Sequence, residues 1–360
     1  MDSVSIEPAL AGNLEELCKS AGFGNDIKEF PSDHQDYTID HEKPLGVGQW
    51  STVWGAEAIT SLYAPKKHEE VWKLRRQTFA SMSLITPPTT PVRSSFGSGF
   101  TRSPYDLAIK VPSGRSAGNV ILSEARISTY LSLQESLRDH VVSFYGLDRR
   151  NGSIVMQALP LPLAEGSHSY RNQHATSALK SFPQIALHLL EGLTRLHEAG
   201  VVHADIKPSN ILMDFSSEAL LPLFTDFSAS FMAANPPASH TAAGTWEFLA
   251  PELCKSFPSP PTPDYASDVY ALAVTLLHFI IDGSPFASAP NTFLMRDMVK
   301  KGQALEYALA IPEAASALNQ VQAAVPFDLF EFLRMGLTKD PEERPNAKQW
   351  LSWLAARAAE

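Results

Sequence analysis

The feature that most constrains the fold of this chain is a change of hydrophobic pattern near Pro162. Before it, apolar runs such as LAIKVP, VVSFYGL and SIVMQAL have the length of β-strands, and one run from Gly118 to Gln134 has helical spacing. After it, long apolar segments with helical spacing follow one another, among them Ala178–Gly200 and Ser267–Gly283. The sequence therefore predicts an α+β protein with a small β-rich part and a larger, mostly α-helical part.

Composition and charge exclude several classes of protein. With 44% hydrophobic and 19% charged residues, the 360-residue chain resembles an ordinary globular protein. Its formal net charge of -10 argues against a nucleic-acid partner, because phosphate backbones attract an excess of Lys and Arg. Cys18 and Cys254 are too few for a disulfide framework or a metal site. The N-terminus lacks a secretory pattern, and the longest apolar run, Ala271 to Ile281, is shorter than the ~20 residues that cross a bilayer. We expect no membrane partner and a cytoplasmic or nuclear location.

Two segments fall outside this pattern of strands and helices. Residues 1–36 form an N-terminal extension, which contains one helical stretch, Leu10–Ala21, and carries no chemistry that we can assign. Residues 61–105 are low in complexity, because Pro, Ser, Thr and Gly dominate the stretch TPPTTPVRSSFGSGFTRSP. We expect an insert there. Its three Ser/Thr-Pro pairs, which are more simply interpreted as filler than as phosphorylation sites, are at Thr86, Thr90 and Ser103.

A glycine-rich turn and a lysine in the β-rich part are candidates for binding phosphate. Gly46 and Gly48 stand between two strand patterns, where glycine allows backbone N–H groups to approach a phosphate closely. The same spacing is common in ordinary hairpins. Lys110 follows three apolar strand residues and needs an anion if it is buried. Glu124 on the next helix is a candidate partner, and the alternative is a lysine that extends to water.

The strongest chemical signal is the segment HADIKPSN, from His203 to Asn210. It holds a carboxylate, an ammonium and an amide in one short loop between apolar runs. Such a loop can direct Asp205 at a substrate hydroxyl, Lys207 at a transferring phosphate and Asn210 at a metal ion. Asp226, which follows another apolar strand, can complete an oxygen-ligand site for magnesium.

Taken in order, GVGQWSTV, LAIK, HADIKPSN, DFS and APE resemble the signature set of the eukaryotic protein-kinase family. The resemblance implies a bilobal protein-kinase-like fold over residues 37–360, with one main helix in an N-lobe at about 37–157 and a helical C-lobe at about 160–360. It also implies a kinase that uses ATP and Mg²⁺ and acts on a protein substrate. Lys207 and Thr245 match the serine/threonine pattern.

The resemblance implies a role for individual residues. Asp205 would be the catalytic base with Lys207 beside it, and Asn210 and Asp226 would bind magnesium. The residues that would contact or position ATP are Leu45, Gly46, Val47, Gly48, Gln49, Trp50, Ser51, Val53, Ala108, Lys110, Glu124, Met156, Gln157, Ala158 and Leu159. The last four form the expected hinge, where backbone groups would contact adenine.

Four further residues would be structural. Glu252 would pair with Arg344, and Asp268 would anchor the catalytic loop from its helix. His203 is expected to pack in the core beneath that loop rather than to transfer protons.

Three positions depart from the family pattern. Ala204 stands where the family has the arginine that pairs with an activation-loop phosphate, so we expect activity that does not depend on phosphorylation of Ser239 or Thr241. Phosphatase treatment tests this expectation, and a large fall in rate would contradict it. Ser228 and Ser51 replace glycines, which restricts the backbone but removes no reacting group.

Two alternatives stay open from the sequence. A pseudokinase that binds nucleotide or acts as a scaffold would explain the HAD and DFS variants, although every reacting group is present. A small-molecule kinase of the aminoglycoside or choline type shares the two-lobed plan, but such proteins lack the peptide platform that Gly244–Glu252 resembles. The sequence does not predict the oligomeric state.

Overall fold

The structure is a computed structural model of the chain. The residues that it describes are 26–32, 36–59, 103–114, 116–214, 221–237, 245–254 and 261–358. For residue 161 and residues 164–180 only the backbone is described. The expected helix Leu10–Ala21, most of the 61–105 insert, and Ser239 and Thr241 lie outside the described residues.

The first part of the described chain builds an antiparallel sheet of six strands. The strands are β1 Tyr37–Asp40, β2 Gly46–Val47, β3 Ser51–Ala58, β4 Leu107–Pro112, β5 Phe144–Asp148 and β6 Ser153–Gln157. Their order is β1-β3-β4-β6-β5, and β2 pairs with β3. The glycine-rich turn joins β2 to β3, and the Gly48 N–H closes it by donating to the Ser51 carbonyl at 2.8 Å.

Helix α1, Ala117–Leu133, packs on the sheet close to its predicted bounds. Side chains alternate between the two faces of β4. Leu107 and Ile109 join a core on one face, and Lys110 lies on the opposite face. The residues that form the core between α1 and the sheet are Ile121, Ala125, Phe144, Leu147 and Ile154. The apolar residues on both faces explain why β4 reads as a continuous hydrophobic run.

The second part of the described chain is helical. Its α-helices are α2 Leu163–Glu198, α3 Tyr265–Ile281, α4 Thr292–Lys301, α5 Ala304–Leu309, α6 Pro312–Ala324, α7 Leu329–Gly336 and α8 Ala347–Ala358. Helix α3 is buried along most of its length and begins with a capping box between Asp264 and Ser267. Helix α2 begins well before the Ala178 that apolar spacing predicted, and it contains Pro183.

Short strand pairs connect the helices and present the loops between them. These strands are β7 Leu161–Pro162, β8 Val201–Val202, β9 Ile211–Asp214, β10 Leu221–Phe224 and β11 Phe231–Met232. β9 pairs with β10 and β8 pairs with β11, both antiparallel. The loop from His203 to Asn210 therefore begins and ends next to the segment that carries Asp226.

The expected α+β architecture is confirmed: the N-terminal region of the described chain is a sheet with one main helix, and the C-terminal region is helical. The exact domain bounds stay predictions. Residues 26–32, which belong to the predicted extension, contact the edge strand β5, since the Phe30 N–H donates to the Leu147 carbonyl at 3.0 Å. Among the described helices, none has the length and apolar content needed to cross a bilayer.

Candidate active site

Lys110 is the centre of a buried ion cluster that joins three parts of the fold. Its Nζ lies 2.7 Å from Glu124 Oε1 on α1 and 2.8 Å from Asp226 Oδ1 after β10. Lys110 and Glu124 are almost fully buried, whereas the Asp226 side chain is about a third exposed. The anion that a buried lysine needs is supplied by the two carboxylates, so Lys110 does not extend to water.

The pKa values of the two carboxylates in this cluster are shifted in opposite directions. Burial raises the pKa of Glu124 to about 7, with Asp226 adding to the rise and Lys110 opposing it. Burial also acts to raise the pKa of Asp226, but Lys110 and Ser228 outweigh it and hold the pKa well below its ordinary value. Burial acts to lower the pKa of Lys110, and the two carboxylates outweigh it in turn. Asp226 therefore stays ionised at neutral pH, as a metal ligand must.

The loop between β8 and β9 brings the second set of predicted residues together. Lys207 Nζ donates to Asp205 Oδ2 at 2.7 Å and to Thr245 Oγ1 at 3.1 Å. Asn210 Nδ2 donates to the same Asp205 oxygen at 3.0 Å and to the Asp205 carbonyl at 2.9 Å. These contacts fix the orientation of the Asp205 carboxylate, because both side-chain donors bind Oδ2.

Asp268 on α3 accepts two hydrogen bonds from the start of this loop. Its Oδ2 accepts from the His203 N–H at 2.8 Å, and its Oδ1 accepts from the Ala204 N–H at 2.9 Å. These two bonds support a left-handed backbone at Ala204, where φ is 65°, a conformation that is rare for a residue with a side chain. His203 is fully buried and its ring lies against Phe227, so the prediction that it packs in the core is confirmed.

The residues expected around ATP divide into an exposed loop and a sheet face. Val47 is 76% exposed and Leu45 is 47% exposed. Gly46 lies in β2, and Gly48, Gln49 and Trp50 form the turn that joins β2 to β3. Ser51 is buried at the start of β3. Val53 lies opposite Lys110 in the register of β3 and β4, and Ala108 lies opposite Met156 in that of β4 and β6. Paired residues share a face of a sheet, and Ala108 and Lys110 alternate onto the same one. Val53, Ala108, Lys110 and Met156 thus line one surface.

The expected hinge lies where β6 ends and the chain enters the helical part. The Gln157 N–H donates to the Ser143 carbonyl at 2.9 Å, so this amide is already engaged within the protein. Ala158 is buried and Leu159 is half-buried. Contacts between the hinge and adenine would therefore be made by backbone groups other than the Gln157 N–H.

Asn210 and Asp226 suit a hard divalent cation that is completed by phosphate and water. Asn210 uses its Nδ2 for Asp205, so its amide oxygen is the atom that would bind a metal. Asp226 accepts hydrogen bonds from Lys110 and Ser228 with Oδ1, so Oδ2 is the oxygen that would bind a metal. Among the described residues, no cluster of three His, Cys, Asp or Glu forms a metal cage. Mg²⁺ does not need one, because it usually binds one or two protein oxygens and keeps waters and phosphates.

A buried ion pair ties the APE segment to the helical part. Arg344 Nη1 donates to Glu252 Oε1 at 2.8 Å, and Nη2 donates to Oε2 at 3.2 Å. The Arg344 side chain is fully buried. The pairing that the resemblance implied is therefore present.

The contacts of Ser228 and His197 were not expected from the sequence. The Ser228 hydroxyl donates to Asp226 Oδ1 at 2.6 Å, although the sequence suggested only a stiffer backbone there. His197 Nε2 lies 3.2 Å from Asp268 Oδ2, and nothing in the pattern of α2 distinguishes this histidine from a surface one. A serine two residues after a carboxylate is a usable signal, because such pairs commonly form local hydrogen bonds.

The comparisons with known proteins reported below all match protein kinases. A family model described as protein kinase domain matches residues 106–353. The serine/threonine-protein kinase ISR1 of Eremothecium gossypii is 29% identical over 71% of this chain and 76% of its own length.

Two Streptomyces coelicolor proteins also match. The serine/threonine-protein kinases PkaA and PkaB are 27% and 31% identical over 53% and 47% of this chain. The matches cover 32% and 37% of those proteins, so the chain spans about a third of their length.

Proposed function

The chain belongs to the protein kinase family, and from that premise we propose that it transfers the γ-phosphate of ATP to a serine or threonine hydroxyl of a protein substrate. The observation that carries the proposal is the Lys110 ammonium bonded to both Glu124 and Asp226. This arrangement brings together a phosphate-binding cation and a metal-binding anion, which phosphoryl transfer requires.

Asp205 is the proposed base. Its Oδ2 is held by Lys207 and Asn210, so Oδ1 is directed to a substrate hydroxyl. The hydroxyl oxygen forms a bond to the γ-phosphorus as the bond to the β,γ-bridging oxygen breaks, the proton passes to Asp205, and ADP leaves. The rate gain comes mostly from positioning and charge stabilisation, since the transition state needs little covalent help from the protein.

The two lysines act on charge at different points. Lys110 binds the α- and β-phosphates and is kept in place by Glu124. Lys207 lies 2.7 Å from the base and stabilises negative charge on the transferring phosphoryl group. Asn210 and Asp226 would hold Mg²⁺, which when bound neutralises phosphate charge.

Specificity for serine and threonine is supported by two observations. Lys207 donates to Thr245 Oγ1, which ties the catalytic loop to the segment that leads into APE, on which a peptide would lie. The relatives named above are all serine/threonine-protein kinases by name.

The purified chain, labelled ATP and a peptide array test the function. We expect transfer to Ser or Thr peptides, and Asp205→Asn lowers kcat by at least about a hundredfold while ATP binding persists. Asp297→Asn is the matched control, because it makes the same change at an exposed ion pair on α4. Transfer that is unaffected by Asp205→Asn would overturn the assigned base, and its absence in the unmodified protein would overturn the function.

The second candidate is a nucleotide-binding module that does not transfer phosphate. One observation favours it: the Ser228 hydroxyl occupies Asp226 Oδ1, an oxygen of the proposed metal ligand. Nucleotide binding without phosphate transfer in the same assay would support this candidate.

A further inference from the structure

Residues 26–32 add an extra segment to the edge of the N-terminal sheet. The Leu147 N–H donates to the Lys28 carbonyl at 2.8 Å, and the Phe30 N–H donates to the Leu147 carbonyl at 3.0 Å. Glu29 forms a parallel bridge with Leu147. The segment therefore covers backbone groups that an edge strand such as β5 would otherwise present to solvent.

The side chains of this segment contact both the sheet and α1. Phe30 is 4% exposed and joins the core on the face away from α1, where its ring meets Tyr37 edge-on at 5.7 Å. Ile27 packs against the core between α1 and the sheet. The Lys28 N–H donates to Thr129 Oγ1 on α1 at 3.0 Å, and Lys28 Nζ donates to the Phe144 carbonyl at 2.9 Å. One short segment is thus bonded to the helix and the strand at once.

Gly146 makes this close approach feasible. Its φ is 149°, and a Cβ placed there would lie 2.4 Å from the Phe30 nitrogen and 2.5 Å from the Glu29 carbonyl carbon. Backbone atoms cannot move aside as the end of a side chain can. Any larger residue at this position displaces the segment or strains the strand.

Helix α1 has little local stabilisation at its N-terminal end. Ser116 makes no side-chain capping bond, and the first turn has no acidic residue. The helix nevertheless has to hold Glu124 within 2.7 Å of Lys110. Tertiary contacts must therefore fix the position of the helix.

We propose that residues 26–32 hold α1 against the sheet and thereby keep Glu124 bonded to Lys110, which makes Ile27, Lys28 and Phe30 positioning residues for phosphoryl transfer. The catalytic half of this inference rests on the proposed function. The mechanical half, in which release of the segment loosens α1, does not. The extension that carried no assignable chemistry in the sequence acquires a role through these contacts.

Hydrogen exchange of the full chain tests the mechanical half. Gly146→Ala displaces the segment, so the Leu147 amide loses protection and the amides of α1 exchange about tenfold faster. Phe30→Ala removes the buried anchor of the segment without adding a Cβ to β5, so it is expected to speed the exchange of the α1 amides in the same way. Gly152→Ala is the control for a Cβ added to a positive-φ glycine, because Gly152 has a φ of 69° and nothing lies within 4 Å of its added Cβ. We expect the α1 amides of this variant to exchange as in the unmodified chain. The proposal is overturned if the Leu147 amide stays protected in Gly146→Ala. It is also overturned if that protection is lost and the α1 amides exchange no faster.

A double-mutant cycle tests the catalytic half. Phe30→Ala lowers kcat/KM about tenfold, and Phe30→Leu restores most of it. In a Glu124→Gln background the same Phe30→Ala change has little further effect, because the bond that it acts through is already lost. A merely structural role would instead give the same loss in both backgrounds, which overturns the catalytic half. If the unmodified chain transfers no phosphate, the proposed function fails, and the exchange data still decide whether the segment holds α1.

Discussion

The Ser228 hydroxyl donates to Asp226 Oδ1 at 2.6 Å, the same oxygen that accepts from Lys110 at 2.8 Å. The Ser228 N–H adds a third, longer bond at 3.3 Å. Asp226 itself has a left-handed backbone with φ of 60°. The proposed metal ligand is therefore held by both a cation and its own neighbour, and the oxygen that they share is less free to bind a metal.

Removing the Ser228 hydroxyl is expected to strengthen magnesium binding. Ser228→Ala loses a hydrogen bond to an ionised carboxylate, worth about 1.5 kcal/mol, which draws negative charge away from Asp226. Oδ2 then binds Mg²⁺ more strongly, so the Mg²⁺ concentration that half-saturates nucleotide binding falls about tenfold. A magnesium titration with a fluorescent nucleotide measures this change. Ser209→Ala, which removes an exposed hydroxyl from the catalytic loop, is the control. A higher magnesium requirement in Ser228→Ala would show that the hydroxyl orients the carboxylate instead of competing for it.

The buried Arg344 makes the fold sensitive to Glu252. Glu252→Ala leaves the guanidinium without its counter-charge and is expected to lower the free energy of unfolding by about 3 kcal/mol. Chemical denaturation measures it. Lys348→Ala breaks an exposed pair with Glu198 of similar length and should cost less than about 1 kcal/mol. Equal losses in the two variants would mean that the burial of Arg344 does not matter.

Asp268 is expected to affect catalysis more than nucleotide affinity. Asp268→Asn replaces one of two acceptors with a donor that faces a backbone N–H, which costs about 2 kcal/mol and displaces the loop that carries Asp205. We expect a lower kcat with little change in the Kd for ATP, because the Lys110 cluster is separate. In the control, Asp264→Asn, a good helix cap replaces a good cap on the same helix. An equal loss of ATP affinity and of kcat in Asp268→Asn would contradict this prediction.

Tyr37 confers a pH dependence on the β-rich part. Burial, followed by the hydrogen bond to Asp148, raises the pKa of Tyr37 to about 12. Because the folded pKa exceeds the unfolded one, this contribution is complete below about pH 10 and disappears as the pH rises towards 12.

Tyr37→Phe removes the titrating group and tests the direction of this pH dependence. The stability difference between the unmodified protein and Tyr37→Phe should shrink by about 2 kcal/mol between pH 10 and pH 12. Urea unfolding at several alkaline pH values measures the difference. A constant or widening gap would mean that the phenol is not stabilised in its protonated form.

Much of the site could be predicted because its residues lie in short motifs of distinctive chemistry. Asp205, Lys207 and Asn210 occur within six residues, and a loop without a catalytic role does not need that combination. The bounds of α1 followed from its apolar spacing alone. The start of α2 did not, since its first half lacks the apolar spacing on which the prediction relied.

The contacts of residues 26–32 could not be predicted. The run from Ile27 to Phe30 is too short for a periodic signal, and its partners Thr129 and Leu147 lie more than 100 residues away along the chain. The reason that Gly146 must be glycine is likewise a contact with a remote backbone.

The sequence by itself determined which groups are present and which elements carry them, because motif spacing and hydrophobic periodicity are local properties of the chain. Only the tertiary structure decided that Lys110 is shared by Glu124 and Asp226, that Ser228 binds the same carboxylate, and that residues 26–32 contact α1. Those relationships depend on distances between segments remote in sequence. Such distances are set by how the sheet and helices pack, not by any one segment.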